Sequence, residues 1–408
     1  MPAEAWRRNQ IVMTAVVFVV FTGFAFVLPF LPLYVRELGV RGEEQVAQWA
    51  GILIGVAPLL AGLLAPVWGR LADRHGQKRM AVRALLSYVV LMVLSAFVTN
   101  IGQLFALRAG VGLFGGIGPL GLAMATSGAP REHTGRAVGS IQSAQILAAA
   151  VGPLAGGLLA DLLGIRWTFL VAAAACAVSL GLLLIYYEEA PRPLRGPADA
   201  GARAPVSSIL GLPQVAGLLV VLFLVNFVGR SFTPILPLHL QSLGVPPARL
   251  AFTTGALISC YSVAAAISAS LLGRASRRYA PRMLLVASLL AGAIVVWPMA
   301  TVGSFEAVFV LAILLGLASG GALTLCYTIG GLVVGSEQRA TAFGFFSAAA
   351  LFGGAISPSI AGLLVRWNLK AIYAVDSAIF VVLAAGLGLT ATRRARGPAE
   401  ASSPAAGA

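Results

Sequence analysis

Charge is what this chain has least of. Of its 408 residues only 10% are Asp, Glu, Lys or Arg, against about 25% in a soluble domain. So little charge cannot coat a water-facing surface of that length. Acids are scarcer still, 14 against 28 bases. The three histidines, His75, His133 and His239, show no metal-ligand spacing, and no nucleophile stands with a base. Neither an enzyme nor a metal or other cofactor is expected. Cysteine is equally sparse: Cys176, Cys260 and Cys326 lie singly inside apolar runs, which excludes a disulfide framework and suits small packing groups.

What the chain has instead is apolar length, 59% hydrophobic residues and a mean hydropathy of +0.92. Many runs exceed the ~18 residues that cross a bilayer as a helix. Twelve spans are predicted, at about 11–35, 48–71, 80–99, 101–125, 136–160, 166–187, 213–240, 252–273, 282–302, 305–330, 340–364 and 370–392. The expected fold is an all-α membrane protein. Arg7 and Arg8 precede the first span, but its apolar run exceeds the ~7–15 residues of a signal core and no small-x-small site ends it.

A net charge of +14 brings nucleic acid to mind, but the distribution of the bases argues otherwise. With the N-terminus placed inside, 20 of the 28 bases fall in inner segments. That bias follows the positive-inside rule and predicts both termini in the cytoplasm. The basicity is topology, and the partner it predicts is the lipid bilayer rather than nucleic acid.

One polar stretch interrupts the spans, "EEAPRPLRGPADAGARAPVSS" at 188–208, with the Pro, Gly and Ala content of a linker. It separates an N-terminal six-helix half, 1–187, from a C-terminal half, 209–392; a disordered tail, 393–408, is expected to follow. The halves align at an offset of 205 residues. "PFLPLYVRELG" (29–39) falls on "PILPLHLQSLG" (234–244), Glu132 on Glu337, Gly139 on Gly344, and "GPLAGGLL" (152–159) on "SPSIAGLL" (357–364). At an offset of 204, Gly69 and Arg70 fall on Gly273 and Arg274. Duplication explains landmarks repeated in one order. Two six-span halves related by a parallel repeat are an architecture of alternating-access transporters.

The stretch "GRLADRHGQKR", carrying Gly69, Arg70, Asp73, Arg74, Gly76, Lys78 and Arg79, resembles the loop between spans two and three of the major facilitator superfamily. Arg108 in "LRAGVGLFGG", with Gly112 four residues on, is similar to that superfamily's span-four arginine. Gly139, Gly152, Pro153, Gly156 and Gly157 resemble the span-five pattern of its drug/proton antiporters, with Ala148 where one glycine is missing. "PFLPLYVRELGV" looks like bacterial multidrug efflux proteins of the twelve-span group. The resemblance implies export across the bacterial cytoplasmic membrane, with protons as the coupling ion and a monomer as the working unit.

In such relatives the loop aspartate faces the N-terminus of span eleven, which here starts near 341–344. A helix N-terminus favours a carboxylate by ~0.3–1 kcal/mol, so Asp73 is expected to latch the outward-open state. The second copy has Arg277 at that place, so the latch is one-sided; an ordinary charged loop is the plainer reading. Glycines at i and i+4 and a proline in span five are expected to serve close packing and bending.

Three charges fall within spans, Arg108, Arg230 and Asp376, and a charge at mid-bilayer costs at least ~2.5–3.5 kcal/mol if unpaired. By helical rise Arg108 and Asp376 lie ~8–9 Å inside the outer end of their spans and Arg230 ~22 Å from the inner end of its own. Asp376 is therefore expected to pair with Arg230. The other arginine then faces the cavity or bonds backbone carbonyls or Gln145. A spare cation suits neutral or anionic lipophilic substrates. Asp376, as the one carboxylate at convincing depth, is the proton-coupling candidate, with Asp161 a poorer one; a uniporter stays open.

The resemblance places the cavity among spans one, four, seven and ten, with two, five, eight and eleven. Phe30, Tyr34, Gln145, Asn226, Arg230, Tyr261, Tyr327 and Phe346 are nominated to line it, aromatics and amides suiting varied lipophilic molecules. Proton-driven drug export is the leading expectation. A dedicated exporter of one metabolite, such as a sugar or organic acid, or a lipid translocator, is the alternative. A transporter-like sensor would need a cytoplasmic domain beyond "GPAEASSPAAGA".

Overall fold

The computed structural model describes residues 3–126, 133–189, 213–334 and 339–396. Glu132, Glu337, most of the expected linker and the tail from 397 lie outside the described residues, as does the side chain of Asp73. The N-terminal half contains α1 (Ala3–Ala25), α2 (Leu31–Glu37), α3 (Glu43–His75), α4 (Gln77–Ala96), α5 (Ile101–Phe114), α6 (Ile117–Thr126), α7 (Thr134–Leu163) and α8 (Ile165–Tyr186). The C-terminal half contains α9 (Pro213–Ser231), α10 (Leu236–Ser242), α11 (Leu250–Ala275), α12 (Pro281–Val296), α13 (Phe305–Ser319), α14 (Ala322–Val333), α15 (Arg339–Leu364) and α16 (Ala371–Arg396).

Four predicted spans are broken, and they are the first, fourth, seventh and tenth. The first divides between α1 and α2 and the seventh between α9 and α10, at matching prolines (Pro29 and Pro32; Pro234 and Pro237) that withhold a helix hydrogen bond. The fourth divides at Gly115–Gly116 and the tenth at Gly320–Gly321. Gly116 takes φ +113°, a left-handed conformation open to glycine. Its N–H donates to Tyr88 Oη at 3.2 Å, and the N–H of Gly321 donates to Ser268 Oγ at 3.2 Å. Backbone groups freed inside a bilayer need such partners. Among the described residues, eleven helical stretches are long and apolar enough to cross a membrane, and α5, at 14 residues, is too short alone. The expected tail begins inside α16, which continues to Arg396.

The packing repeats between halves. In the first, α1 lies against α7 and α8, and α4 against α8; in the second, α9 lies against α15, and α12 against α16. The halves meet where α3 packs on α15 and α7 on α11. There glycines bring backbones together: a methyl on Gly51 would overlap the Pro358 carbonyl, and one on Gly362 the Ala47 carbonyl. In the mirror contact a methyl on Gly255 would overlap the Pro153 carbonyl, and one on Gly157 that of Ala251. These pairs are each other's repeat mates, at the offsets of 204 and 205 found in the sequence.

Candidate functional site

At the expected outer end, polar groups fasten the halves together. Glu44, in the first turn of α3, pairs with Arg366 beyond α15 at 2.7 Å. Arg36 hydrogen-bonds Gln241. Asp161, near the end of α7, accepts from the N–H groups of Ala251 (3.2 Å) and Phe252 (2.8 Å). It thereby caps α11 of the other half with a carboxylate. The Pro153 carbonyl region is held as well: the Leu154 N–H donates to Ser259 Oγ across the interface at 3.1 Å.

The expected inner end differs. A cleft of about 770 Å³ lies between the first turns of α1 and α7, lined by Trp6, Arg7, Gln10, Thr14, Phe18, Arg136, Ser140 and their neighbours. Gln10 Nε2 and Thr14 Oγ1 both donate to Ser140 Oγ, at 3.2 and 3.1 Å. None of the nominated cavity residues lines this cleft. The missed signal was Gln10 and Thr14, four residues apart and so on one face of an otherwise apolar span.

The resembling loop is one residue long. α3 runs to His75, Gly76 turns the chain at φ +102°, and α4 starts at Gln77. Arg70 Nε donates to the Pro66 carbonyl at 3.2 Å. Lys78 Nζ donates to Leu184 O (3.2 Å) and Tyr187 O (2.7 Å), closing the C-terminus of α8 where a cation is favoured. Arg74 and Arg79 extend the basic rim of this segment. Methyls on Gly69, Gly139 and Gly344 would meet open space, so none of the three brings helices together here. Gly112, Gly152 and Gly156 do, against Ala57, Ala25 and Phe26 respectively. Of the span-five glycines, Gly152, Gly156 and Gly157 stand where two helices come close.

The three interior charges do not assemble as expected. Arg108 is 2% exposed; its Nε donates to Leu53 O on α3 at 3.1 Å, so it bonds a backbone carbonyl rather than facing a cavity. Asp376 and Arg230 form no ion pair within 4 Å. Asp376, fully buried, instead meets Ser231 Oγ at 2.5 Å, while Arg230 is exposed, its stem crossing Gly354 on α15. Ser231 and Arg230 are neighbours at the end of α9, and successive helical residues point about 100° apart, so the two side chains cannot both face Asp376.

The nominated cavity residues divide likewise. Phe30 and Tyr34 are fully buried in the N-terminal half, Tyr34 donating to Ser95 O at 2.9 Å against Phe169. Phe346 is also buried, in an aromatic group with Tyr327 and Phe343. Gln145, Asn226, Tyr261 and Tyr327 are half-buried. Tyr261 meets Phe232 edge-on and lies within electrostatic reach of Arg230. The structure brings two groups of nominated residues together: Tyr327 with Phe346, and Arg230 with Asn226 beside Gly354, Tyr261 lying within electrostatic reach of Arg230.

Near Asp376 the sequence reading missed His239 and Tyr373. His239 Nδ1 lies 3.0 Å from Tyr373 Oη, both fully buried. His239 Nε2 and Asp376 Oδ1 find no protein partner, and each such atom costs about 1–3 kcal/mol. The only sequence signal was two polar residues in apolar spans facing different helices, which is invisible without the packing.

A profile of the Major Facilitator Superfamily matches residues 13–255 and 218–408. The chain is 34% identical over 324 residues to "Multidrug resistance protein MdtG" of Serratia proteamaculans, covering 79% of each. It is 31% identical over 389 residues to the protein of that name in Enterobacter lignolyticus, covering 95% of this chain and 93% of the other. Among solved structures, a bacterial homologue of the human lysosomal transporter Spinster, inward-facing and occupied, aligns with a TM-score of 0.76 at 18% identity over 94% of this chain and 96% of that one. A D-xylose–proton symporter aligns with a TM-score of 0.74 at 15% identity, over 93% and 96%. With its broken spans, its repeated interface and these matches, the chain belongs to the major facilitator superfamily.

Proposed function

We propose that this chain is a proton-coupled exporter of lipophilic small molecules, neutral or anionic, in the bacterial cytoplasmic membrane. It works as a monomer of twelve spans with both termini cytoplasmic. The halves, 1–187 and 209–392, joined through 188–208, rock to open a site alternately to either side. The observation that carries this reading is the asymmetry between the two ends. Asp161, Glu44–Arg366 and the glycine contacts close the outer end, while a cleft lies at the inner one. We read that asymmetry as a transporter awaiting substrate from the cytoplasm, the cleft between α1 and α7 lying within the N-terminal half. Asp73 latches the opposite state, and exposed Arg230 supplies the cation that discourages cationic substrates.

Asp376 carries the coupling proton. The test is efflux of Nile red from proteoliposomes, with and without an imposed pH gradient, for the native protein and Asp376→Asn. Gradient-driven efflux lost in the variant supports the reading; efflux that survives removes Asp376 from it. No dye movement by folded protein favours the dedicated metabolite or lipid exporter.

A further inference from the structure

Among the described residues of the C-terminal half, the two buried side-chain polar atoms without a protein partner are His239 Nε2 and Asp376 Oδ1. They belong to two buried polar pairs, His239 with Tyr373 and Asp376 with Ser231, which no hydrogen bond joins. His239 on α10 meets Tyr373 Oη through Nδ1 at 3.0 Å. Tyr373 and Asp376 are three residues apart on α16 and therefore share a face. Asp376 Oδ2 lies 2.5 Å from Ser231 Oγ. All four residues are 0% exposed. His239 is nearer the outer face, with Lys370 within electrostatic reach and that ammonium bonded to Val302 O at 3.2 Å. The other titratable groups of this neighbourhood are Tyr261 on α11, within reach of both Asp376 and Arg230, and Arg230 itself.

Hydrogen-bond arithmetic decides the state of Asp376. The Ser231 hydroxyl has one hydrogen and two oxygens in reach, Val228 O at 2.9 Å and Asp376 Oδ2 at 2.5 Å. Both contacts are hydrogen bonds at once only if Asp376 is protonated and donates to Ser231, which then donates to Val228. The absence of an ion pair to Asp376 among the described residues agrees.

We propose that His239, Tyr373 and Asp376 form a proton relay through the C-terminal half, connecting the outer face to Asp376. The proposal rests on the proton-coupled reading above. Neutral His239 takes a proton at Nε2 while its Nδ1–H passes to Tyr373 Oη. Tyr373 gives its own hydroxyl proton, through a bridging water, to Oδ1 of the Asp376 carboxylate, the oxygen without a protein partner. One proton enters, one carboxylate is neutralised, and Tyr373 and His239 end uncharged, His239 in its other tautomer until the hop is reset. Ser231 senses the result. When Asp376 loses its proton, the hydroxyl must turn from Val228 to the carboxylate, at the break in span seven that also holds Arg230.

Infrared spectroscopy of the full chain in lipid, transferred from H₂O to D₂O at neutral pH, tests the relay without a substrate. The protonated carboxyl stretch of Asp376 is the band absent from Asp376→Asn. Its deuterium shift is expected to slow at least tenfold in His239→Gln and in Tyr373→Phe. An unchanged exchange rate in both variants overturns the relay while leaving a protonated Asp376. No Asp376-specific band in the native protein overturns the protonation argument and the relay together. Tyr373→Phe removes one oxygen from a buried ring and decides alone if His239→Gln loses its helical amide bands. Gradient-driven Nile red efflux from the same liposomes separates the failures. Slowed exchange with efflux indifferent to the gradient would keep the relay and remove the coupling.

Discussion

Gly51 on α3 lies so close to Pro358 on α15 that no methyl group fits between them. The duplicated pair, Gly255 on α11 and Pro153 on α7, repeats the contact on the other side of the molecule. The helix approach that glycine allows is therefore used twice, at the interface between the two repeats, and once broken it cannot be recovered by a side-chain rotation.

Gly255→Val pushes α11 off α7. Overpacking of this kind costs about 1–3 kcal/mol, here taken from the contact between α11 and α7. In a chain whose three cysteines are replaced by alanine, labelling by an impermeant maleimide of a cysteine introduced in place of Ala251, 2% exposed at this contact, should rise at least fivefold. Unchanged labelling would show that the interface yields elsewhere.

Asp161→Ala removes the cap on α11 and leaves the Phe252 N–H without its carboxylate. Losing a cap costs about 0.5–2 kcal/mol, a shift of roughly 2- to 30-fold toward separation of α7 from α11. Spin labels at the exposed positions 41 and 249 should report a larger population at long separation. The same distance distribution as native would remove Asp161 from the closure.

Arg108→Met exchanges a buried cation for a side chain of similar length. Such replacements are often neutral or stabilising, because a buried charge gives up its hydration. The thermal midpoint should hold or rise, and substrate KM should stay within twofold, since Arg108 is 2% exposed. A KM change above tenfold would put the guanidinium in contact with substrate.

Arg230→Gln should discriminate between substrates. Arg230 is exposed and unpaired with Asp376, so the loss should reach tenfold or more for an anionic dye such as carboxyfluorescein and stay below twofold for neutral Nile red. Equal losses for both dyes would mean that Arg230 supports the break in α9 rather than the ligand.

Much of the fold was legible in the sequence. Long apolar runs leave a chain no arrangement but spanning helices, because the bilayer interior satisfies no backbone group from outside the helix. The repeat at 204–205 residues was legible too, and it reappears in the contacts of Gly51 and Gly255. The breaks were less so. Pro29 and Pro234 were noted as repeat mates, yet the spans around them were expected to be continuous, and Gly115–Gly116 was read as part of one helix.

The interior charges show where reading residues by depth reaches its limit. Helical rise gives a residue's height in the membrane from its place in the chain alone. Which neighbour it meets depends on the rotation of each helix about its axis and on which helices adjoin. Arg108 found Leu53 O, and Asp376 found Ser231 instead of Arg230, through those rotations. Composition and periodicity by themselves determined a duplicated, basic-faced, all-helical membrane protein, since partitioning into lipid depends on residue type summed over many positions. The contacts that close one end of the halves, the cleft between α1 and α7 and the meeting of His239 with Tyr373 were decided by tertiary structure, since each depends on single atoms brought together from distant segments.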